Sequence, residues 1–280
     1  MSCEKKSKAR ILIGTSGFSF PDWKGNVYPP NIKNKDMLYF YAYKLNFETV
    51  EINSTYYAIP SAKTIKAMEE KTPDLFEFTV KAPKTITHDP FDPRLEVKPK
   101  ADEIEKNSNS FSEALKPLVC AKKLGAILLQ FPVFFYNTSK NKDYILFVSE
   151  KLSFSPIVCE FRHISWLKKE TFDFLKRSGI GFCIVDEPQL PKLLPPVFEV
   201  TSSLAYVRFH GRNKNWFNAP LSERYDYLYS DEELRSFIPE IKKISILAEK
   251  TYIFFNNCHM GKALKNALRF KEMLIEEGGI

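Results

Sequence analysis

Ala205-Tyr206-Val207-Arg208-Phe209-His210 is a short apolar run that ends on charged and imidazole side chains, with Arg208 and His210 at alternate positions. Alternate residues of a strand point to the same side, so these two polar groups share a face. Runs of the same kind recur along the chain at 11–15, 49–52, 76–80, 126–130, 157–160, 181–185, 205–209 and 251–255. At or just beyond their ends stand Ser16, Glu51 with Asn53, Lys81, Gln130, Glu160 with Arg162, Asp186, Arg208 with His210, and Asn256 with Asn257. Eight apolar strands that each become polar at one end predict an α/β fold, a single TIM-type (β/α)8 barrel. Its site lies at the rim where parallel strands end.

Between the runs the apolar period lengthens to about 3.6 residues, as helical crossovers require. Segments 36–45, 61–71, 111–124, 143–152, 168–177, 231–247 and 261–275 fit this period. Ser61, and Ser230 or Asp231, are the expected N-caps, because their side-chain oxygens can accept a free amide hydrogen of the first turn. The crossover between strands 6 and 7 is the exception. It holds Pro188, Pro191, Pro195 and Pro196, and prolines at that density remove helical donors, so an irregular, extended connection is predicted. No repeat or flexible linker divides the chain. The expected organisation is one barrel domain over 10–280, preceded by a basic, disordered tail over 1–9.

The chain has 280 residues, 44% of them apolar, against about 250 for a typical barrel of this type. No apolar run reaches the roughly 18 residues of a membrane span, and the N-terminus lacks the apolar segment of a signal peptide. The expectation is a cytoplasmic protein with no membrane partner, a monomer or weak oligomer. Its five cysteines are odd in number and lack CxxC spacing, which argues against a secreted disulfide framework. The net charge is +7, but the first ten residues set Lys5, Lys6, Lys8 and Arg10 against Glu4 alone, so nearly half the excess belongs to the tail. The lysines near 98–106 alternate with Asp102, Glu103 and Glu105, a mixed surface and not a basic stripe.

Polar pairs at three strand ends, with Lys81, Gln130 and Asp186 beside them, read as a functional pocket, because so many polar groups at one barrel end serve stability poorly. The alternative is a buried structural ion network. Carboxylates and His210 are suitable metal ligands, yet Lys81, Arg162 and Arg208 from the same rim would repel a divalent cation, and no tight ligand spacing occurs. No cofactor is therefore expected, with a divalent metal as the weaker alternative. Arg208, His210 and Arg212 follow strand 7, and Asn257, Gly261 and Lys262 follow strand 8, where many barrels bind phosphate. Aromatic residues crowd the rim loops: Trp23, Tyr28, Tyr56, Tyr57, Trp166, Trp216, Phe217, Tyr225 and Tyr227. These can stack on sugars or bases, or close the barrel top as a small core. His88 and His163 are either acid–base groups or satisfied structural histidines, and Cys258 is read as structural.

Longer motifs carry a resemblance. Gly14-Thr15-Ser16-Gly17-Phe18-Ser19-Phe20 with Asp22-Trp23 and Tyr28-Pro29 is followed by Glu51-Ile52-Asn53-Ser54-Thr55-Tyr56-Tyr57, Phe78-Thr79-Val80-Lys81 and Leu128-Leu129-Gln130-Phe131-Pro132. Then come Glu160-Phe161-Arg162-His163, Asp186-Glu187-Pro188, Tyr206-Val207-Arg208-Phe209-His210-Gly211-Arg212 and Phe255-Asn256-Asn257. In these motifs, spread over about 11–272, the chain resembles the YecE-like family, known as domain of unknown function 72. The resemblance implies a TIM-type barrel and carries no reaction.

The functional expectation is acid–base chemistry by a hydrolase, lyase or isomerase on a small sugar-like or phosphorylated substrate, an anionic or polyhydroxylated ligand. The expected catalytic groups are Glu51, Lys81, Glu160, Asp186 and His210, with Glu160 or Glu51 as proton acceptor. Ser16, Trp23, Asn53, Tyr56, Gln130, Arg162, Arg208, Arg212, Asn256 and Asn257 are expected to bind the substrate. The alternatives are a nucleic-acid-binding protein or nuclease, in which rim arginines meet phosphates, and a noncatalytic ligand sensor.

Overall fold

The computed structural model describes residues 10–215 and 219–279, so the basic tail over 1–9 lies outside the described residues. The eight runs form parallel strands β1 (Arg10–Thr15), β2 (Thr49–Ile52), β3 (Glu77–Lys81), β4 (Leu124–Gln130), β5 (Ile157–Glu160), β6 (Gly181–Asp186), β7 (Leu204–Phe209) and β8 (Lys250–Phe255). Their boundaries match the predicted runs to within two residues. The strands follow one another around the sheet in chain order, and ladder pairs join every neighbouring pair from β2 round to β8 and on to β1.

The remaining seam, between β1 and β2, is joined by a single bridge from Ser16 to Glu51. Two residues compensate for the missing ladder. Gly14 lets the strands approach, since a Cβ there would stand 2.4 Å from the Thr49 carbonyl oxygen. Tyr41, fully buried, places its hydroxyl across the seam, where it accepts from the Thr15 N–H at 3.0 Å and donates to the Thr49 carbonyl at 3.1 Å. A side chain thus satisfies two strand groups that have no strand partner. Tyr41→Phe should cost about 2 kcal/mol, because both groups stay buried without it. Urea unfolding checks this, with a lower midpoint at unchanged slope as the expected result.

Helices α1 (Ala62–Glu69), α2 (Ala101–Cys120), α3 (Ser139–Lys151), α4 (Lys169–Arg177), α5 (Asp231–Leu247) and α6 (Lys262–Glu276) cover the outside of the barrel. Ser61 accepts from the Thr64 N–H at 3.1 Å, and Ser230 from the Glu233 N–H at 3.2 Å, while the Glu233 carboxylate accepts from the Ser230 N–H. Both expected caps are present, the second as a reciprocal capping box. Between β1 and β2 the predicted helix is broken into short pieces, Asn34–Asp36, Met37–Tyr39 and Phe40–Lys44, the last of them a π-helical turn. Helix α2 begins ten residues before the predicted start at 111. Its buried face already includes Ile104 and Ser108, a stripe too sparse to stand out against the charged residues around it. The crossover from β6 to β7 contains no helix, in line with its prolines.

At the N-terminal end of the barrel the Glu77 carboxylate accepts from Arg10 at 2.9 Å, from Lys250 at 2.8 Å and from the Tyr252 hydroxyl. That polar cluster closes the barrel bottom, a position associated with stability, and leaves the opposite rim for a ligand. Among the described residues no helix is long and apolar enough to cross a membrane.

Candidate functional site

Alternation along β7 turns Tyr206, Arg208 and His210 into the barrel, and all three are fully buried. The two terminal nitrogens of Arg208 donate to Glu51 and to Glu160, each at 2.6 Å. Tyr206 donates to the second oxygen of Glu51 at 2.7 Å, and its hydroxyl lies 2.8 Å from that of Thr79. One layer higher, Arg162 stands 2.5 Å from Glu160 and also pairs with Glu187. His210 Nε2 is 3.0 Å from Arg162 and 3.3 Å from Glu160, while Nδ1 is 2.9 Å from the Asn256 amide. Glu160 is therefore paired with two arginines.

Burial acts to raise the Glu160 carboxyl, but Arg162, Arg208 and His210 overcome it and hold the group well below its ordinary value. Burial, with the Arg162 charge beside it, lowers His210 to about 3, so the ring is neutral at ordinary pH. Burial also pushes Glu187 up to about 7 against the pull of Arg162. Glu160 and His210 thus act as a fixed charge and a fixed dipole, and Glu160 in particular is a weak proton acceptor.

Above them opens a cavity of about 890 Å³. Among the described residues its wall includes Lys81, Arg162, Arg208 and Arg224 but no aspartate or glutamate, because the carboxylates lie behind the arginines. Phe18, Phe20, Tyr56, Tyr57, Phe134 and Tyr225 supply apolar and aromatic surface. Lys81 Nζ donates to Gln130 Oε1 at 2.6 Å and stands 4.3 Å from the centre of the Tyr56 ring. The Gln130 amide nitrogen is itself fixed by the Phe131 carbonyl at 2.8 Å and lies 3.4 Å from His88. Withdrawal from water, aided by the charges of Arg208 and Arg162, lowers Lys81 to about 7. Burial likewise lowers His88 to about 3.

The cavity wall thus gathers Ser16, Asn53, Tyr56, Lys81, Gln130, Arg162, Arg208 and Asn256 of the predicted residues, with Glu51, Glu160 and His210 beneath it. Four others are elsewhere. Cys183 faces inward, 3.7 Å from Glu160, so alternation sends Asp186 outward. There it binds Arg212 at 2.9 Å and the Tyr229 hydroxyl at 2.6 Å, and Arg212 also reaches Glu233 at 3.1 Å. Asn257, buried, donates to the Tyr227 carbonyl and to Asn266, both at 2.8 Å. Trp23 is buried too, its indole N–H held by the Cys258 carbonyl at 2.7 Å. The expected anion site beyond strands 7 and 8 is taken up in the same way. Arg212 is neutralised, Lys262 pairs with Asp226, and Gly261 packs on Val27 at a positive φ that suits a tight turn.

Glu187, Tyr206 and Arg224 are further residues of the site that were not among those selected from the sequence. Alternation counted from Cys183 would have found Glu187 in place of Asp186. Among the rim aromatics, Tyr56, Tyr57 and Tyr225 reach the cavity, whereas Trp23, Tyr28 and Trp166 are core residues. Trp216 and Phe217 lie outside the described residues. His163 caps a turn through the Ser165 N–H at 3.1 Å, a structural use. Among the described residues no three His, Cys, Asp or Glu side chains are grouped to hold a metal ion.

Comparison with known proteins places this architecture. A family model described as "Protein of unknown function DUF72" matches residues 12–279. The UPF0759 protein YunF of Bacillus subtilis (strain 168) is 30% identical over 288 residues, covering 96% of this chain and 97% of its own. A crystal structure of a DUF72 family protein from Thermotoga maritima MSB8 superposes with a TM-score of 0.84 at 43% identity, over 95% of this chain and 99% of that one. Another, from Enterococcus faecalis V583, gives 0.81 at 29% identity, over 95% of each. With the motifs, the barrel and these relatives in agreement, the chain belongs to the DUF72 family.

Proposed function

We propose that the cavity binds a small anionic substrate, sugar-like or phosphorylated, and performs acid–base chemistry on it. One observation carries this reading: among the described residues the wall presents four cationic side chains and no carboxylate. The acids behind it keep Arg162 and Arg208 charged and fixed, so their outward edges meet a carboxylate or phosphate without reorganising. Lys81, at about 7, is the group suited to exchanging a proton near neutrality. Glu51 and Glu160, expected from the sequence to accept the proton, serve instead to hold the arginines. The aromatic wall supplies flat surface for a sugar ring.

Thermal-shift and calorimetric screening with sugar phosphates, neutral glycosides and short oligonucleotides tests the reading. Sugar phosphates should raise the melting midpoint, with a shallow salt dependence of the affinity. Preference for neutral glycosides would remove anion recognition. Oligonucleotide binding whose logarithm falls with a slope of several ions would favour a nucleic-acid ligand.

A further inference from the structure

We propose that Lys81 is a covalent amine nucleophile that forms an imine with the carbonyl carbon of a small aldehyde or ketone bearing a carboxylate or phosphate. This rests on the cavity being an anion site and adds a reactive group to its ligand.

The contrast among the cations on the cavity wall points to it. Arg208 is held by Glu51 and Glu160, and Arg162 by Glu160 and Glu187. Lys81 comes from the end of β3 at the same rim, yet among the described residues no carboxylate stands within ion-pair distance of it. Among the described residues the hydrogen-bond partner of its Nζ is the amide oxygen of Gln130. An ammonium kept for charge alone is best served by an acid at contact, whereas an amine nucleophile must shed a proton first. Burial favours that loss most, and the charges of Arg208 and Arg162 add to it against the weaker pull of Glu160 and Glu51, which is why Lys81 lies near 7. Gln130 can accept a hydrogen from the ammonium or from the neutral amine, so deprotonation does not break the contact. It orients the nitrogen and leaves the lone pair for the cavity.

The same surroundings suit the product. A protonated imine is again a cation, and the Tyr56 ring, 4.3 Å from Nζ, offers it an attractive π face. Arg162 and Arg208 on the wall can fork onto the substrate's carboxylate or phosphate and bring the carbonyl carbon to Nζ. In the reaction, the Nζ lone pair forms the C–N bond while the carbonyl π pair moves to oxygen. That oxygen collects two protons, one of them from the attacking nitrogen, and leaves as water. The amine, the carbonyl compound and one proton from solvent yield the iminium and one water, with no change of oxidation state.

Trapping tests the proposal. The protein is incubated separately with pyruvate and with dihydroxyacetone phosphate, then reduced with sodium borohydride, which delivers hydride to the iminium carbon and fixes a secondary amine. The expected result is one adduct on the peptide containing Lys81, heavier by the carbonyl compound less one oxygen. Sulfate should suppress it at least tenfold, and it should be absent from Lys81→Arg, which keeps the charge but cannot form the imine. No adduct at Lys81 with either probe, or labelling equal in Lys81→Arg, overturns the proposal. Calorimetry with lactate and glycerol 2-phosphate, which have no carbonyl to attack, separates the two readings. If these bind and no adduct forms, the imine fails while the anion site stands, and if neither binding nor trapping occurs, both fail.

Discussion

Arg208→Met should lower stability by about 3–5 kcal/mol, the cost of breaking a buried ion pair from one side. Against a total of about 5–15 kcal/mol for a domain, this brings the variant close to unfolding at room temperature. Arg208 is 1% exposed and donates to Glu51 and Glu160, which are entirely buried. Methionine fills much of the volume, so the loss is one of charge and not of packing. Glu160 would retain Arg162, but Glu51 would keep only the Tyr206 hydroxyl among the contacts described above.

Two controls make the cause readable. Glu51→Gln in the Arg208→Met background removes a stranded carboxylate, so the double variant should be more stable than Arg208→Met alone. The pH dependence supplies the other. In the native protein Glu160 is held well below its ordinary value, so its contribution is present above the unfolded-state value and is lost as pH falls through the folded one. With Arg208 gone, the Glu160 carboxyl moves up, less stabilisation depends on its charge, and the gap between the two proteins should narrow on acidification. A gap that stays constant from neutral pH to about pH 4 would assign the loss to packing.

Strand positions were legible because each strand buries both faces in a barrel, leaving short apolar runs that end where the rim begins. The polar layer was legible for a related reason: alternation along 205–210 and 157–162 fixes which side chains meet inside. Alternation also explains why Asp186 and Asn257 lie away from the cavity. Each was selected for standing at a strand end, although the inward parity fixed by Cys183 turns Asp186, three residues on, outward, and that fixed by Asn256 turns Asn257 outward. Trp23 and Arg212 could not have been sorted this way. Whether a loop side chain faces a cavity or a core depends on partners far along the chain, here the carbonyl of Cys258 and the carboxylates of Asp186 and Glu233. Nor does sequence tell that Glu51 and Glu160 face backward onto arginines. That arrangement alone converts an acid-rich motif set into a cationic wall.

Binding of inorganic sulfate should weaken as pH rises through about 7, with Lys81 as the group responsible. Sulfate keeps its charge throughout this window, so changes in affinity report on the protein. Lys81 is lowered to about 7 by burial and by Arg208 and Arg162. Below that value it is an ammonium and attracts the anion, and above it the free protein must take up a proton to bind. Affinity should therefore be flat on the acid side and fall toward tenfold per pH unit on the alkaline side, until the raised value of the complex is reached. Other groups facing the cavity do not reproduce this. His88, and His210 beneath the wall, both near 3, are neutral throughout, Tyr56 is raised to about 12, and Arg162 and Arg208 keep their charge. Glu187 titrates in the same range, but it loses a proton behind Arg162, outside the wall. Lys81→Met separates the two. It should weaken sulfate about ten- to hundredfold at pH 6, matching the roughly 1.5–3 kcal/mol of a hydrogen bond to a charged group, and should flatten the profile. Its thermal midpoint should not fall, because a desolvated cation without a carboxylate partner contributes little to stability. A profile that persists in Lys81→Met would transfer the titration to Glu187 and leave Lys81 with no part in anion binding.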